Sequence, residues 1–259
     1  MPWQSLQSGT ARELEVIRKL WHGTREGSCR EMDWHLYEKD FFWDLPDEKA
    51  AFMALAIRKA FNKNEFVFLE DDLGNQVFYL EKGAIKICRT TLSGKEPIVF
   101  VRKAGEVFGL AEVVNGETRK CSAQALTSCI VYEVSKNDFE GLLSRYHSLA
   151  RKVISVLGRR LRYLAEQIEN LMACDVATRI LRLLFYLSSE CLLDGDLRNQ
   201  PVTVPVRITQ DQLAACTGSC QQTVSETLQR LQAEGVILLA KKEITLLKPL
   251  EIMNRLREH

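Results

Sequence analysis

The residues best suited to specific chemistry lie in a polar window near the carboxyl end of the chain. Within it, two short amphipathic stretches flank Gly218, a residue that can adopt a tight turn. Each stretch begins with a hydroxyl residue followed three positions later by glutamine, which is the spacing of a capping box. These pairs are Thr209 with Gln212 and Ser219 with Gln222. The pattern predicts two capped helices joined by a glycine turn, as in a helix-turn-helix.

A hairpin is predicted after the second helix, which Gly235 ends. Its strands and tip are Val236–Leu239, Ile244–Leu247 and the pair Lys241 and Lys242. Upstream, Val202–Ile208 is predicted to be an edge strand, because Pro205 cannot donate a hydrogen bond to a ladder. The whole unit is therefore predicted to be a winged helix-turn-helix.

Such a unit can bind DNA through its shape and its capped helix ends. A short exposed helix fits the major groove, and helix amino-terminal amides and hydroxyl groups can donate hydrogen bonds to phosphate oxygens. The expected phosphate contacts are Thr209, Gln210, Ser219, Thr223, Lys241 and Lys242. Some winged helices dock only proteins, and that alternative stays open because residues 172–259 hold ten Lys and Arg against ten Asp and Glu. Affinity for DNA would rest on a few focused contacts.

Other residue types that perform chemistry are scattered. The sequence has no recognisable Ser/His/Asp or Cys/His set, phosphate loop or metal-spaced cluster, so an enzyme is the least favoured class. The eight cysteines include no Cys-x-x-Cys pair, and most are expected to be free thiols. His22, Cys29 and His35 lie with all four tryptophans in residues 1–44, where they can ligate haem or a metal or be structural. Cys220, near the second helix, is a candidate for redox modulation.

The middle of the chain is predicted to be rich in β-strands. Short runs of β-branched and aromatic residues alternate with glycine-containing turns at the spacing typical of an antiparallel barrel or sandwich. The predicted strands are Glu65–Leu69, Gln76–Leu80, Ala84–Thr90, Ile98–Val101, Cys121–Leu126 and Cys129–Val134. A helix over Asp47–Phe61 is predicted to lead into this domain, because its apolar residues are spaced by three and four.

The most regular pattern in the chain is a heptad repeat. Seven residues fall at alternating spacings of four and three: Ala150, Ile154, Leu157, Leu161, Leu164, Ile168 and Leu171. A strict heptad seam favours a two-stranded coiled coil with a second copy of the chain, although a helix packed on its own domain remains an alternative. A further domain is predicted to begin after Cys174, with Asp175 as the cap of its first helix.

The composition is typical of a folded soluble protein. Of 259 residues, 46% are apolar and 27% charged, and the formal charge of +1 indicates neither a nucleic acid nor a membrane surface as partner. No apolar run reaches the ~20 residues that a bilayer requires. The amino terminus lacks the pattern of an export signal. We therefore expect a cytoplasmic protein without a membrane partner.

A β-rich domain, a heptad helix and a winged helix-turn-helix, in that order, resemble the CRP/FNR family of dimeric bacterial transcription regulators. The stretches that carry the resemblance are Val77–Gly83, Ala104–Gly109, Gly158–Asp175 and the helix-turn-helix itself. The resemblance implies an α+β fold: an N-terminal antiparallel β-roll, a long dimerisation helix and a C-terminal winged helix-turn-helix domain. The implied segments are an extension at 1–44, an effector roll resembling cyclic-nucleotide-binding domains at 45–140, the dimerisation helix and hinge at 141–173 and the DNA-binding domain at 174–259.

The resemblance also implies partners and a site for one of them. Double-stranded DNA, a second copy of the chain, RNA polymerase and a small-molecule effector are the expected partners. The positions that match the effector pocket are Gly109, Leu110, Lys120, Cys121, Leu164 and Ala165. Leu110 replaces the glutamate that binds ribose in nucleotide-binding members, and Leu164 and Ala165 replace hydroxyl residues that meet adenine. Cyclic AMP is therefore disfavoured. Lys120 can pair with an anion, which favours a small apolar carboxylate, or it is simply solvated.

The cofactors of other family members are not expected here. Residues 1–87 contain only Cys29, too few cysteines for the iron–sulfur cluster of some members. The haem ligands of carbon monoxide-sensing members follow the roll glycine, where this chain has Gly109 and Ala111. Haem ligation by the amino-terminal His and Cys residues stays an alternative. The sequence does not otherwise identify a cofactor.

The resemblance also points to the residues that read DNA bases. Where members usually have Arg, Glu and Arg, this chain has Gln221, Gln222 and Glu226, with Ser225 beside them. Glutamine favours an adenine edge, and glutamate accepts a hydrogen bond from a cytosine amine. A two-fold symmetric site with half-sites richer in A·T than is usual for the family is therefore predicted.

Overall fold

The computed structural model describes residues 40–192, 200–240 and 243–257, which belong to one compact unit. Residues before 40 lie outside this part, and with them the predictions for His22, Cys29 and His35. The last residues of the predicted extension do pack on the fold. Phe41 and Phe42 are buried, and the amide of Phe41 donates to the carbonyl of Gly105 at 2.7 Å.

Eight strands form the predicted antiparallel roll. They are β1 (Ile57–Phe61), β2 (Phe66–Phe68), β3 (Gln76–Lys82), β4 (Ala84–Cys88), β5 (Ile98–Lys103), β6 (Val107–Phe108), β7 (Ser122–Ala125) and β8 (Cys129–Ser135). One sheet has the order β1-β8-β3-β6 and the other β2-β7-β4-β5, and all neighbouring strands are antiparallel. A short helix, α2 (Leu110–Asn115), follows β6.

The alternation of side chains along β3 divides the core into two clusters. Phe78 points into the roll, where it stacks on Phe108 with ring centroids 5.1 Å apart. Its neighbours Val77 and Tyr79 face the opposite side and pack under the helices. Because successive strand residues point to opposite faces, this one strand joins the interior of the roll to the helical layer.

One prediction for the start of the roll is wrong. The helix expected over Asp47–Phe61 ends early: α1 spans Pro46–Leu55, and Ile57–Phe61 forms β1. Strand β1 pairs along its whole length with Cys129–Glu133 of β8. Tertiary pairing with a central strand therefore outweighs the helical spacing of this segment.

Two helices follow the roll, α3 (Lys136–Arg145) and the 27-residue α4 (His147–Ala173). The face of α4 that packs on the roll carries Leu149, Val153 and Val156, all buried. The predicted seam lies on a different face, where Ile154, Leu161, Ile168 and Leu171 are 69, 70, 59 and 53% exposed. Leu157 and Leu164 are half-buried between the two faces. Leu157 also packs against the apolar cluster of the roll, whereas the four exposed seam residues remain largely accessible in the single chain.

The carboxyl-terminal part of the chain, from Val176 onwards, is a winged helix-turn-helix. Its elements are α5 (Val176–Leu187), α6 (Ser189–Leu192), β9 (Val202–Thr203), α7 (Gln210–Thr217), α8 (Gln221–Ala233), β10 (Ile237–Ala240), β11 (Glu243–Leu246) and α9 (Pro249–Arg257). Asp175 caps α5 by accepting from the amide of Thr178 at 2.8 Å, as predicted. Strand β9 is shorter than the predicted Val202–Ile208 and pairs only with β11. The α+β fold class is confirmed.

Candidate nucleic-acid interface and regulatory site

The first helix of the helix-turn-helix begins with the predicted capping box. The hydroxyl of Thr209 accepts from the amide of Gln212 at 3.2 Å, and the Gln212 side chain accepts from the amide of Thr209 at 2.9 Å. The helix ends at Gly218, which has a φ of +61°. Such a left-handed residue turns the chain towards α8 without steric cost only as glycine.

The start of α8 differs from the prediction. Cys220, not Ser219, is the N-cap residue, so the expected box of Ser219 with Gln222 does not form. The Cys220 thiol lies 3.0 Å from the Thr223 hydroxyl, and this hydrogen bond lowers the pKa of the thiol, assisted by the amides of the first turn. Gln222 instead donates from Nε2 to Oε1 of Glu226 at 3.0 Å, one turn along the helix.

The predicted base readers lie on the solvent side of α8. Gln221, Gln222 and Glu226 are exposed and Ser225 is half-buried. The opposite face of the helix packs into the domain through Val224, Leu228 and Leu231, all buried. Among the predicted phosphate contacts, Thr209 is exposed, whereas Gln210, Ser219 and Thr223 are half-buried. Lys241 and Lys242 lie outside the described residues.

Four cationic side chains of this domain lie beside carboxylates. The pairs and their N···O distances are Arg207 with Glu243 at 2.7 Å, Lys248 with Glu251 at 3.0 Å, Arg255 with Glu234 at 3.2 Å and Arg230 with Glu234 at 3.9 Å. All these side chains are substantially exposed, so each pair contributes little to stability. The pairing does reduce the positive potential that the domain presents to a phosphate backbone.

The helix-turn-helix domain is docked on the roll through β5. Lys103 of β5 is buried and donates from Nζ to the hydroxyl of Ser189 at 2.9 Å. The Tyr186 hydroxyl donates to the carbonyl of Val101 at 3.4 Å, and its ring centroid lies 5.4 Å from that of Tyr163 in α4. These contacts join the roll, the long helix and α5 in one region.

The junction between α4 and α5 is fixed by a second set of contacts. Asn170, buried near the end of α4, accepts a hydrogen bond from Nη1 of Arg182 in α5. Cys174 also lies against Asn170, with Sγ 3.7 Å from Oδ1. Helix α7 packs against β5, and desolvation there raises the pKa of the half-buried Cys216 to about 12. The hinge region therefore has a defined geometry in this conformation.

The six residues matched to the effector pocket lie in different surroundings. Leu110 is buried in the cluster beneath α4, next to Gly109, which has a φ of +74°. Lys120 is exposed and lies 3.8 Å from Glu117, and Cys121 is half-buried with a pKa raised by desolvation. On α4, Leu164 is half-buried and Ala165 is exposed. The structure does not bring these residues together around Lys120.

Arg119, the residue before Lys120, is a buried cation of the roll that the sequence analysis missed. It is fully buried; Nη1 donates to the carbonyl of Gly109 at 2.9 Å and lies 3.1 Å from Oε2 of Glu112. Its guanidinium stacks 4.3 Å above the ring centroid of Phe68. Desolvation lowers the pKa of Arg119, and the charge of Glu112 opposes this effect. Arg119 and Lys120 are adjacent basic residues, and no sequence pattern distinguishes the buried one from the exposed one.

Comparison with known proteins identifies the family. Residues 58–146 match the cyclic nucleotide-binding domain, and residues 178–254 match the Crp-like helix-turn-helix domain. The chain belongs to the CRP/FNR family. Its CRP/FNR relatives include the Cyclic AMP receptor protein of Thermus thermophilus, 26% identical over 75% of this chain and 85% of that protein. The Global nitrogen regulator of Synechococcus elongatus is 26% identical over 74% of this chain and 86% of that protein.

Solved structures of the CRP/FNR family show the same fold. FixK2 from Bradyrhizobium japonicum has a TM-score of 0.68 at 20% identity and covers 77% of this chain and 96% of that one. The c-di-GMP responsive global regulator CLP of Xanthomonas campestris has a TM-score of 0.63 at 22% identity and covers 77% of this chain and 98% of that one.

Within the described ranges, no helix is both long and apolar enough to cross a membrane. Over the same residues, no three His, Cys, Asp or Glu side chains are grouped to hold a metal ion. The matched relatives are regulators, so a role other than catalysis fits this CRP/FNR chain.

Proposed function

We propose that this chain is a homodimeric, effector-responsive transcription regulator that binds a two-fold symmetric DNA site in the cytoplasm. The observation that carries the proposal is the capped helix-turn-helix with Gln221, Gln222 and Glu226 on its solvent side. A helix of this kind enters the major groove with its amino-terminal residues towards the bases. RNA polymerase is the expected protein partner at the promoter.

The dimer is proposed to form through the exposed row on α4. Ile154, Leu161 and Ile168 are each more than half exposed while the opposite face of the helix is buried. Apolar residues at heptad spacing bury best against a copy of themselves. Two chains joined in this way place two α8 helices about one DNA turn apart, which matches a two-fold symmetric site.

The effector is proposed to act through the roll. Arg119 is a fully buried cation of the roll whose Nη1 pairs with the carboxylate of Glu112, while its Nε has no hydrogen-bond partner among the described residues. The neighbouring rings of Phe68 and Phe78 favour an anion with an apolar body. Because β5 of the roll contacts Ser189 and Tyr186, a change in the roll can alter the orientation of the DNA-binding domain.

The proposal is tested by selecting duplexes from a random pool with the full-length protein and measuring affinity by fluorescence anisotropy. We expect a palindromic site, and loss of about tenfold or more in affinity for that site when Gln221 and Gln222 are both replaced by alanine. Gln229→Ala, an exposed change further along α8, is the matched control. Failure to bind any duplex at low salt would instead indicate a winged helix that docks protein, which the paired cations of the domain also allow.

Titration with candidate effectors then tests regulation. A change in DNA affinity with a small apolar anion supports the proposed role of the roll. Unchanged affinity with every ligand, gas and redox condition would show a constitutive DNA-binding protein.

A further inference from the structure

Two of the predicted base readers of α8, Gln222 and Glu226, are hydrogen-bonded to each other. Nε2 of Gln222 donates to Oε1 of Glu226 at 3.0 Å, and both side chains are exposed on the face that carries Gln221. Residues four apart on a helix are neighbours, so this bond is compatible with an undistorted α8. The bond determines which hydrogen-bonding groups the pair offers to a base.

An amide side chain has two N–H donors and one carbonyl acceptor. With one N–H given to Glu226, Gln222 retains one donor and one acceptor. This is the complement of the adenine edge in the major groove, which offers the N7 acceptor and the N6 donor. Guanine offers two acceptors, N7 and O6, and would need two donors.

We propose that Gln222 and Glu226 act as one base-reading unit, in which Glu226 positions the Gln222 amide for adenine and against guanine; this inference rests on the proposed function. The second carboxylate oxygen of Glu226 accepts from an amine of the neighbouring base pair, cytosine N4 or adenine N6. Glu226 is thus both a base reader and a positioning residue for Gln222.

The electrostatics of α8 favour such a pairing. A carboxylate that faces DNA is repelled by the phosphates and loses water in the groove, so it needs hydrogen-bond donors that offset these costs. The next cation along the helix, Arg230, lies 3.9 Å from Glu234. The amide of Gln222 and a base amine can satisfy the Glu226 oxygens in the groove, where exclusion of water strengthens both bonds.

If Gln222 and Glu226 act as one unit, the base preference opposite Gln222 depends on Glu226. Two residues that read bases independently would show no such dependence. The test compares the wild type with Gln222→Ala, Glu226→Ala and the double variant, using duplexes that carry each base at every half-site position. The position read by Gln222 is the one whose preference is lost in Gln222→Ala. In Glu226→Ala, we expect the preference for adenine over guanine at that same position to fall about tenfold, because the freed amide can then donate twice.

Two controls complete the design. Gln221→Ala is expected to change its own position and to leave the preference opposite Gln222 intact, while Gln229→Ala is expected to change no preference. If Glu226→Ala alters only the position beneath residue 226, the two residues read independently and the inference is overturned.

Binding to a non-specific duplex at low salt separates this inference from the proposed function. All variants are expected to bind that duplex as the wild type does, because phosphate contacts dominate non-specific affinity. A wild type that binds no duplex overturns both proposals. A wild type that binds a palindrome with no preference opposite Gln222 overturns the coupled reader alone.

Discussion

The side chain of Leu171, the last residue of the heptad seam, lies directly against Gly218, the turn of the helix-turn-helix. A β-carbon at position 218 would lie 3.0 Å from Cδ2 of Leu171. The end of the proposed dimer helix and the start of the DNA-reading unit are therefore in contact within one chain. Leu171 therefore links the carboxyl end of α4 to the turn that precedes α8.

Replacement of Gly218 by alanine is expected to destabilise the protein. The left-handed backbone conformation costs an L-residue about 1–2 kcal/mol, and the contact with Leu171 adds to that cost. Chemical unfolding measures the loss. Gly141→Ala is the matched control, since a β-carbon there meets nothing within 4 Å in the middle of α3, and stability should rise slightly. Equal stability of Gly218→Ala and wild type would contradict the packing described.

Replacement of Ile154 by glutamate is expected to dissociate the dimer. Ile154 is 69% exposed in a single chain, so the charge is tolerated in the monomer but not in an apolar seam. Sedimentation velocity distinguishes the two states. Ser155→Glu introduces the same charge at the next, exposed position, outside the seam, and should leave the dimer intact. A dimeric Ile154→Glu protein would place the interface elsewhere.

Replacement of Glu112 by glutamine is expected to cost roughly 3 kcal/mol of unfolding free energy, because it leaves the charge of fully buried Arg119 without its carboxylate. Urea denaturation measures the change. Glu117→Gln removes the exposed partner of Lys120 and should alter stability by no more than about 0.5 kcal/mol. Similar values for both variants would show that the Arg119 pair is not isolated from solvent.

The cap at Asp175 is expected to make stability depend on acid. The amide of Thr178 holds the pKa of Asp175 below its usual value, so the ionised cap stabilises the native state above about pH 4. That contribution is lost as the pH falls through the native-state pKa. Asp175→Asn keeps a capping side chain without the charge. The stability difference between wild type and Asp175→Asn should therefore shrink between pH 7 and pH 3, and a constant difference would contradict the assignment.

Cys220 is expected to be the most reactive of the described cysteines. Its thiol is exposed, and the Thr223 hydroxyl lowers its pKa, whereas desolvation raises the pKa of Cys216 to about 12. Alkylation at pH 7 followed by peptide mass spectrometry should modify Cys220 first, with Thr223→Val slowing it. If oxidant changes DNA affinity, Cys220→Ser should remove the response; a variant that retains it would exclude this thiol as the sensor.

Strand and helix patterns that reflect burial could be predicted from the sequence. Strand β3 is buried on both faces, with Tyr79 in one apolar cluster and Phe78 in the other, so its sequence is a continuous apolar run typical of a buried strand. Strand β1 is exposed along four of its five residues and has no such run, so the spacing of its segment predicts a helix instead of a strand. Its structure is set by pairing with β8, a contact distant in sequence.

The same distinction between local sequence patterns and contacts distant in sequence applies to the candidate site. The capping box of Thr209 and the glycine turn are local, so their spacing is sufficient to predict them. The cap of α8 was assigned one residue early because Ser219 and Cys220 both precede the helix and only packing selects between them. Which of Arg119 and Lys120 is buried depends on contacts with residues distant in sequence, such as Gln76 and Phe68, and the sequence carries no periodic signal for them.

The carboxylates beside the cations of the DNA-binding domain have a consequence for discrimination. A phosphate that binds Arg207 must replace Glu243, and one that binds Lys248 must replace Glu251. In each such contact a phosphate takes the place of a carboxylate. The free energy gained is only the small difference between two similar interactions. If the domain binds DNA as proposed, these paired cations add little affinity for random sequences, and discrimination rests on how well the bases satisfy the glutamines and the glutamate of α8.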